Sequence, residues 1–162
     1  MTEKMPALRI LPFTPARAPL FHAINKAWIE DMFVLEDVDR DVLENPEARI
    51  IAPGGDILFV EAEGRGIVGT GALKHSGGGV YELTKMGVTA PARGLKAGEF
   101  LLQALIARAQ ALGATKLYLL TSRKCEAAIH LYQKNGFAHD AEIMADYGAG
   151  YGRCDVAMRW TG

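Results

Sequence analysis

A single mixed α/β domain, with antiparallel strands first and a strand–helix–strand–helix unit after them, is predicted by three observations. The length of 162 residues suits one domain over residues 1–162, and an apolar share of 49% supplies a core. Between residues 56 and 89, short apolar runs alternate with glycine-rich turns, the signature of a strand meander. From residue 97 onward the apolar spacing switches to a helical period and then alternates between helix and strand.

Taken in order, Ala7 to Pro12 alternates loosely and ends at proline, which suits a short first strand. From Ala16 to Met32 the spacing of Leu20, Ile24, Ala27, Trp28 and Met32 is helical. A shorter helix is predicted over Glu36 to Glu44, stopped by Asn45 and Pro46. Strands are expected over Ile57–Ala62, Ile67–Leu73 and Val80–Thr89, joined by Glu63–Gly66 and Ser76–Gly79. Ala97 to Leu112 is rich in strong helix formers, and Gly113 ends it. Lys116–Leu120 reads as a buried strand and Cys125–Lys134 as a helix closed by Asn135 and Gly136. Two last strands are expected over Phe137–Ile143 and Arg153–Trp160, around a glycine-rich loop from Tyr147 to Gly152 that either shapes a binding channel or only connects them.

Composition removes several function classes. The net charge of −1 gives no basic field for nucleic acid, and no apolar run is long enough to span a membrane. The N-terminus lacks the apolar stretch of a secretion signal, and Cys125 and Cys154 form no paired metal motif. His22, His75, His130 and His139 show no ligand spacing, so no metal is expected. The expectation is a cytoplasmic protein with no nucleic-acid or membrane partner.

The sharpest local feature is VTAPARGLKAG, residues 88–98, between a strand and the start of the long helix. A helix start presents unpaired amides and a partial positive charge, Gly94 and Gly98 permit close approach, and Arg93 and Lys96 add cations. The segment is either a phosphate cradle or a plain strand-to-helix turn. About thirty residues later comes AAIHLYQKNGF, residues 127–137, after the buried strand.

Together these segments resemble the GNAT superfamily of N-acetyltransferases. Val88, Pro91, Arg93, Gly94 and Gly98 match its V-x-P-x-x-R-G-x-G-x-G cradle; Ala128, Leu131, Tyr132, Gly136 and Phe137 match its A-x-x-L-Y-x-x-x-G-F segment. The resemblance implies the acyl-CoA N-acyltransferase fold, with a mixed central sheet of about six or seven strands and about four helices. It also implies acetyl-CoA as co-substrate and a small-molecule, peptide or N-terminal amine as acceptor. Arg93, Gly94, Leu95, Lys96, Ala97 and Gly98 would hold the pyrophosphate. Met86, Gly87 and Val88 would pair with the pantetheine arm, with the Val88 N–H polarising the thioester carbonyl. Tyr132 stands where the family often has a proton donor; a phenol near pKa 10 suits a thiol near about 8.5. Glu82 matches the position of a glutamate used as base, and it reads equally as a strand carboxylate in a salt bridge.

Two positions depart from the pattern. Lys96 replaces the middle glycine of the cradle, where it resists positive φ yet offers an amine to phosphate. Cys125 replaces a frequent asparagine, so Ser122 or Arg123 is expected to contact the arm beside Cys125 and Ala128. Residues 30–47 hold eight acids against Arg40 alone. They form either a solvated helix face or an acidic, aromatic lip (Trp28, Phe33, Glu36, Asp37, Asp39) that draws in a cationic amine. Val156, Met158 and Trp160 either form a dimer face or belong to the core. A silent acyl-CoA sensor, or an enzyme for a larger acyl group, are the alternative functions.

Overall fold

The computed structural model describes residues 5–162. A seven-stranded sheet has the order β1-β2-β3-β4-β5-β7-β6: β1 Leu8–Pro12, β2 Asp56–Ala62, β3 Gly66–His75, β4 Val80–Val88, β5 Lys116–Thr121, β6 Phe137–His139 and β7 Val156–Trp160. Only β4 and β5 are parallel neighbours; the other pairs are antiparallel. The five α-helices among the described residues are α1 Ala18–Met32, α2 Asp37–Glu44, α3 Ala97–Ala111, α4 Glu126–Lys134 and α5 Ala141–Tyr147. A single π-helical turn, Glu47–Ile51, comes after Pro46. No described helix is long and apolar enough to cross a membrane.

The helix count exceeds the four expected because the tail folds differently from its apolar pattern. Phe137–Ile143 is a strand of three residues and then the start of α5, not one strand. The Asp140 side chain accepts the Ile143 N–H at 3.0 Å and caps the helix, whose Ile143 is buried against Tyr118 and Ala157. The remaining elements fall within about three residues of their expected positions, the last strand being the shorter Val156–Trp160.

The sheet is covered on both faces. Leu101, Leu102 and Leu105 of α3 pack with Leu58, Val60, Leu73 and Leu83 in the larger core. Phe21 and Ile29 of α1 and Val42 and Leu43 of α2 pack on Ile57, Phe59 and Ala72 in the other. Val156 and Met158 lie in the larger core, which uses both inward. Burial of this kind contributes about 25 cal/mol for each Å² of apolar surface removed from water.

One irregularity in β4 sets the course of its C-terminal half. Ala72 of β3 stands opposite Thr84, while Thr70 stands opposite Gly87, so β4 carries one residue too many. Lys85 takes φ +52 at this β-bulge. The extra residue reverses the faces of the strand: Tyr81 and Leu83 point to the α3 core before it, Met86 and Val88 after it. The parallel ladder of β4 with β5 runs from Val80–Lys116 to Leu83–Leu119 and stops there. Beyond it the two strands part, leaving a wedge at their C-terminal ends.

Contact between α3 and the sheet depends on Gly71, where a Cβ would lie 2.6 Å from Cδ1 of the fully buried Leu105. Gly71→Ala is expected to cost about 1–3 kcal/mol by overpacking and Leu105→Ala about 2–5 kcal/mol by cavity formation. Urea unfolding of the double variant should show a loss smaller than the sum of the two, since each change relieves the other.

Candidate active site

The wedge and the α3 cradle meet along β4. On the cradle side, Ala90–Ala92 forms a short 3-10 turn, Gly94 has φ +93, and Lys96, the residue before α3, has φ +61. Lys96 therefore adopts the left-handed conformation that its side chain disfavours by about 1–2 kcal/mol. The amides of Gly94, Lys96, Ala97, Gly98 and Glu99 make no backbone hydrogen bond among the described residues, and the positive end of α3 adds to them. A groove of about 450 Å³ runs past them, bounded by Val88, Arg93, Gly98, Ala128, Leu131 and Lys134. A Cβ at Gly98 would stand in this groove, 3.8 Å from both Leu131 and Val88. Lys134 is paired with Glu99 at 3.1 Å, whereas Arg93 and Lys96 enter no ion pair among the described residues. Cationic, glycine-lined and rich in free N–H groups, the groove fits a pyrophosphate. Within it, Leu95 packs on the core and Ala97 is buried, so both serve through their backbone.

The wedge itself holds a cavity of about 50 Å³. Met86 lies on its β4 side; Ser122, Cys125 and Tyr132 line the β5–α4 side. Ser122 closes the β5–α4 turn, its Oγ accepting the Lys124 N–H at 3.2 Å. Cys125 immediately precedes α4. Arg123 instead pairs with Asp155 at 3.7 Å and is largely exposed. Tyr132 stacks edge-on with Phe137 at 5.9 Å, and burial raises its phenol pKa, so the proton stays on through neutral pH. Trp28 lies flat on the strand: its indole N–H donates to Asn25 Oδ1 at 2.9 Å, and a Cβ at Gly87 would fall 2.3 Å from Trp28 Cδ1.

One wall of the wedge is made by two cations, Lys85 and Arg153, with carboxylates behind them. The bulge turns Lys85 toward α2, where its ammonium is 3.0 Å from the fully buried Asp39 and donates to the Tyr151 hydroxyl at 3.3 Å. Arg153 grips Asp39 with two hydrogen bonds of 2.7 and 2.9 Å and reaches Glu36 at 3.2 Å. Burial works to raise the Asp39 pKa, but Arg153, Lys85 and the Glu36 N–H together hold it at about 2. Burial pulls Lys85 down against the opposing Asp39 charge. Glu82 stands between Lys74 and Tyr118 in the ladder; burial raises its pKa, with Lys85 and Lys74 opposing.

The acids of the expected lip are engaged by partners of their own. Glu36 starts α2 in a capping box with Asp39 and also accepts the Gly152 N–H at 3.1 Å. Asp37 pairs with Arg40 and Asp41 with Arg49. Trp28 and Phe33 do line the wedge, but Glu36, Asp37 and Asp39 do not. Sequence reasoning missed Lys85, Tyr151 and Arg153. The available signal for Lys85 was its place in phase with Tyr81 and Leu83, a lysine on the apolar face of a strand.

The GNAT acetyltransferase family model matches residues 19–137, and the chain belongs to this acyltransferase family. A GNAT-family acetyltransferase from Staphylococcus aureus Mu50 superposes with a TM-score of 0.83 at 22% identity, over 95% of this chain and 98% of that one. An acetyltransferase from Streptococcus agalactiae gives 0.77 at 18%, over 94% and 96%. The PaiA N-acetyltransferase of Thermoplasma acidophilum, in complex with coenzyme A, gives 0.70 at 17%, over 95% and 98%. No curated protein sequence matches this one.

Asp39→Asn leaves the buried Lys85 and the half-buried Arg153 without their shared partner and is expected to destabilise the protein by about 3–5 kcal/mol in urea. The folded Asp39 pKa lies below its unfolded value. Its contribution is therefore complete above pH ~4 and is lost as pH falls toward about 2. The variant should lack that segment of the acid-unfolding curve.

Proposed function

We propose that the protein is an N-acetyltransferase that moves the acetyl group of acetyl-CoA directly to a primary amine of a small molecule, peptide or N-terminus. The observation that carries this reading is the wedge between β4 and β5, opening beside the cradle at the start of α3. The free amides with Arg93 and Lys96 would hold the pyrophosphate. Val88, on the β4 edge leading from cradle to wedge, would aim its N–H at the thioester oxygen. Coenzyme A bound to a neighbour of the same fold supports the donor.

The chemistry needs a neutral amine, a base and an acid. As the amine nitrogen bonds to the carbonyl carbon and the carbon–sulfur bond breaks, Glu82 takes the amine proton through water. Tyr132 gives its proton to the leaving sulfur, and solvent restores both groups. Burial brings Glu82 closer to neutrality, where a base works best; it also keeps Tyr132 protonated while moving its phenol farther from the thiol it must protonate.

Thiol release from acetyl-CoA with a panel of amines tests this. Tyr132→Phe and Glu82→Gln should each lower kcat by about 10²–10⁴-fold while acetyl-CoA affinity is retained. In the native enzyme kcat/KM should rise with pH through a value above the ordinary carboxylate range, and Glu82→Gln should lose that limb. A sensor without catalysis would bind acetyl-CoA and release no thiol with any amine.

A further inference from the structure

Among the described residues that line the wedge, the charged side chains are Lys85 and Arg153, both cations. The carboxylates that neutralise them, Asp39 and Glu36, sit behind them, and Glu82 is buried alongside. The charge presented to an acceptor is thus opposite to the one that residues 30–47 suggest.

Arg153 is also incompletely engaged. A guanidinium has five N–H donors in a planar fork. Nη1 uses both of its hydrogens, on Asp39 and Glu36, and Nη2 uses one on Asp39. The Nε–H and the second Nη2 hydrogen have no acceptor among the described residues. They share the side edge of the fork, which has the geometry to take a second carboxylate with two parallel hydrogen bonds. The guanidinium lies near two aromatic rings, its carbon 5.1 Å from the Tyr151 centroid and 5.6 Å from that of Phe33.

We propose that the acceptor is an amine that also carries a carboxylate, an amino acid being the simplest case, and that the free edge of Arg153, with Lys85 beside it, receives that carboxylate. The proposal rests on the acyl-transfer reading above and names its substrate class. A plain alkylammonium would bring a third positive charge against two others, whereas a zwitterion brings a carboxylate to meet them. The same two cations favour the neutral form of the bound amine, which is the form that attacks. Phe33, Trp28 and Tyr151 supply apolar wall to the remainder of the molecule.

The test offers the twenty amino acids one at a time, each as the free acid and as its primary amide, to the protein saturated with acetyl-CoA. Thiol release gives turnover; calorimetry on the CoA-bound protein gives affinity. At least one free acid should exceed its amide by about a hundredfold in kcat/KM. Arg153→Gln should erase that preference and Arg153→Lys restore part of it, with circular dichroism verifying the fold. Amides used as well as acids, or better, by the native protein overturn the proposal whatever the variants do. Carboxylate-dependent binding without thiol release from any compound keeps the carboxylate site and removes acyl transfer. Neither binding nor turnover that depends on the carboxylate overturns the site.

Discussion

An ammonium group buried away from water must be neutralised, and the Lys85–Asp39 contact is the constraint on which the wedge depends. Removing either ion from water costs several kcal/mol, so the pair persists only where geometry brings the charges together. Here that geometry requires the bulge. In a regular strand Lys85 would point with Tyr81 and Leu83 into the α3 core, where no described carboxylate awaits it. One extra residue sends it to α2 instead, and it reverses the faces of Met86, Gly87 and Val88. That reversal accompanies the end of pairing with β5 and leaves the backbone of β4 open at the wedge. Arg153 then joins Asp39 from the segment before β7, so α2, β4 and the chain beyond α5 are held by one carboxylate.

The two halves of the site solve different problems. Toward the cradle the protein offers amides, glycines and two cations that enter no ion pair among the described residues, the features through which a backbone would take a phosphate while tolerating change in side chains. Lys96 illustrates that tolerance: it accepts the left-handed conformation that the family's glycine would take freely, and it adds a charge. In the wedge, the lining side chains are locked by buried contacts. Asn25 fixes Trp28, Trp28 lies on Gly87, and Asp39 fixes both Lys85 and Arg153. On the proposed reading the first half takes the acyl donor and the second the acceptor.

Most of the fold was legible because its elements carry local signals: the glycine turns at 63–66 and 76–79, the helix formers from Ala97, and Gly113 and Gly136 at helix ends. The glycine turn that leads into α3 was legible for the same reason, since its residues are contiguous. The failures have a common physical cause. Phe137–Ile143 is too short for its period to separate strand from helix, and the decisive Asp140 cap is a single hydrogen bond. The acids of residues 30–47 read as free charge because their partners Lys85 and Arg153 lie 46 and 114 residues from Asp39 along the chain. A one-residue bulge leaves the apolar pattern of β4 nearly unchanged while reversing the direction of its last side chains.

The cradle and the splayed β4 edge are together proposed as an acyl-CoA site. The most direct measurement is thermal unfolding of the full chain with acetyl-CoA, CoA, NADH and ATP in parallel. A ligand at a hundred times its dissociation constant stabilises a fold by about 2.7 kcal/mol, a shift of several degrees for a chain of this size. A rise with acetyl-CoA and CoA, and none comparable with NADH or ATP, is the predicted result. No rise with any of the four, or a rise confined to NADH or ATP, would contradict the account.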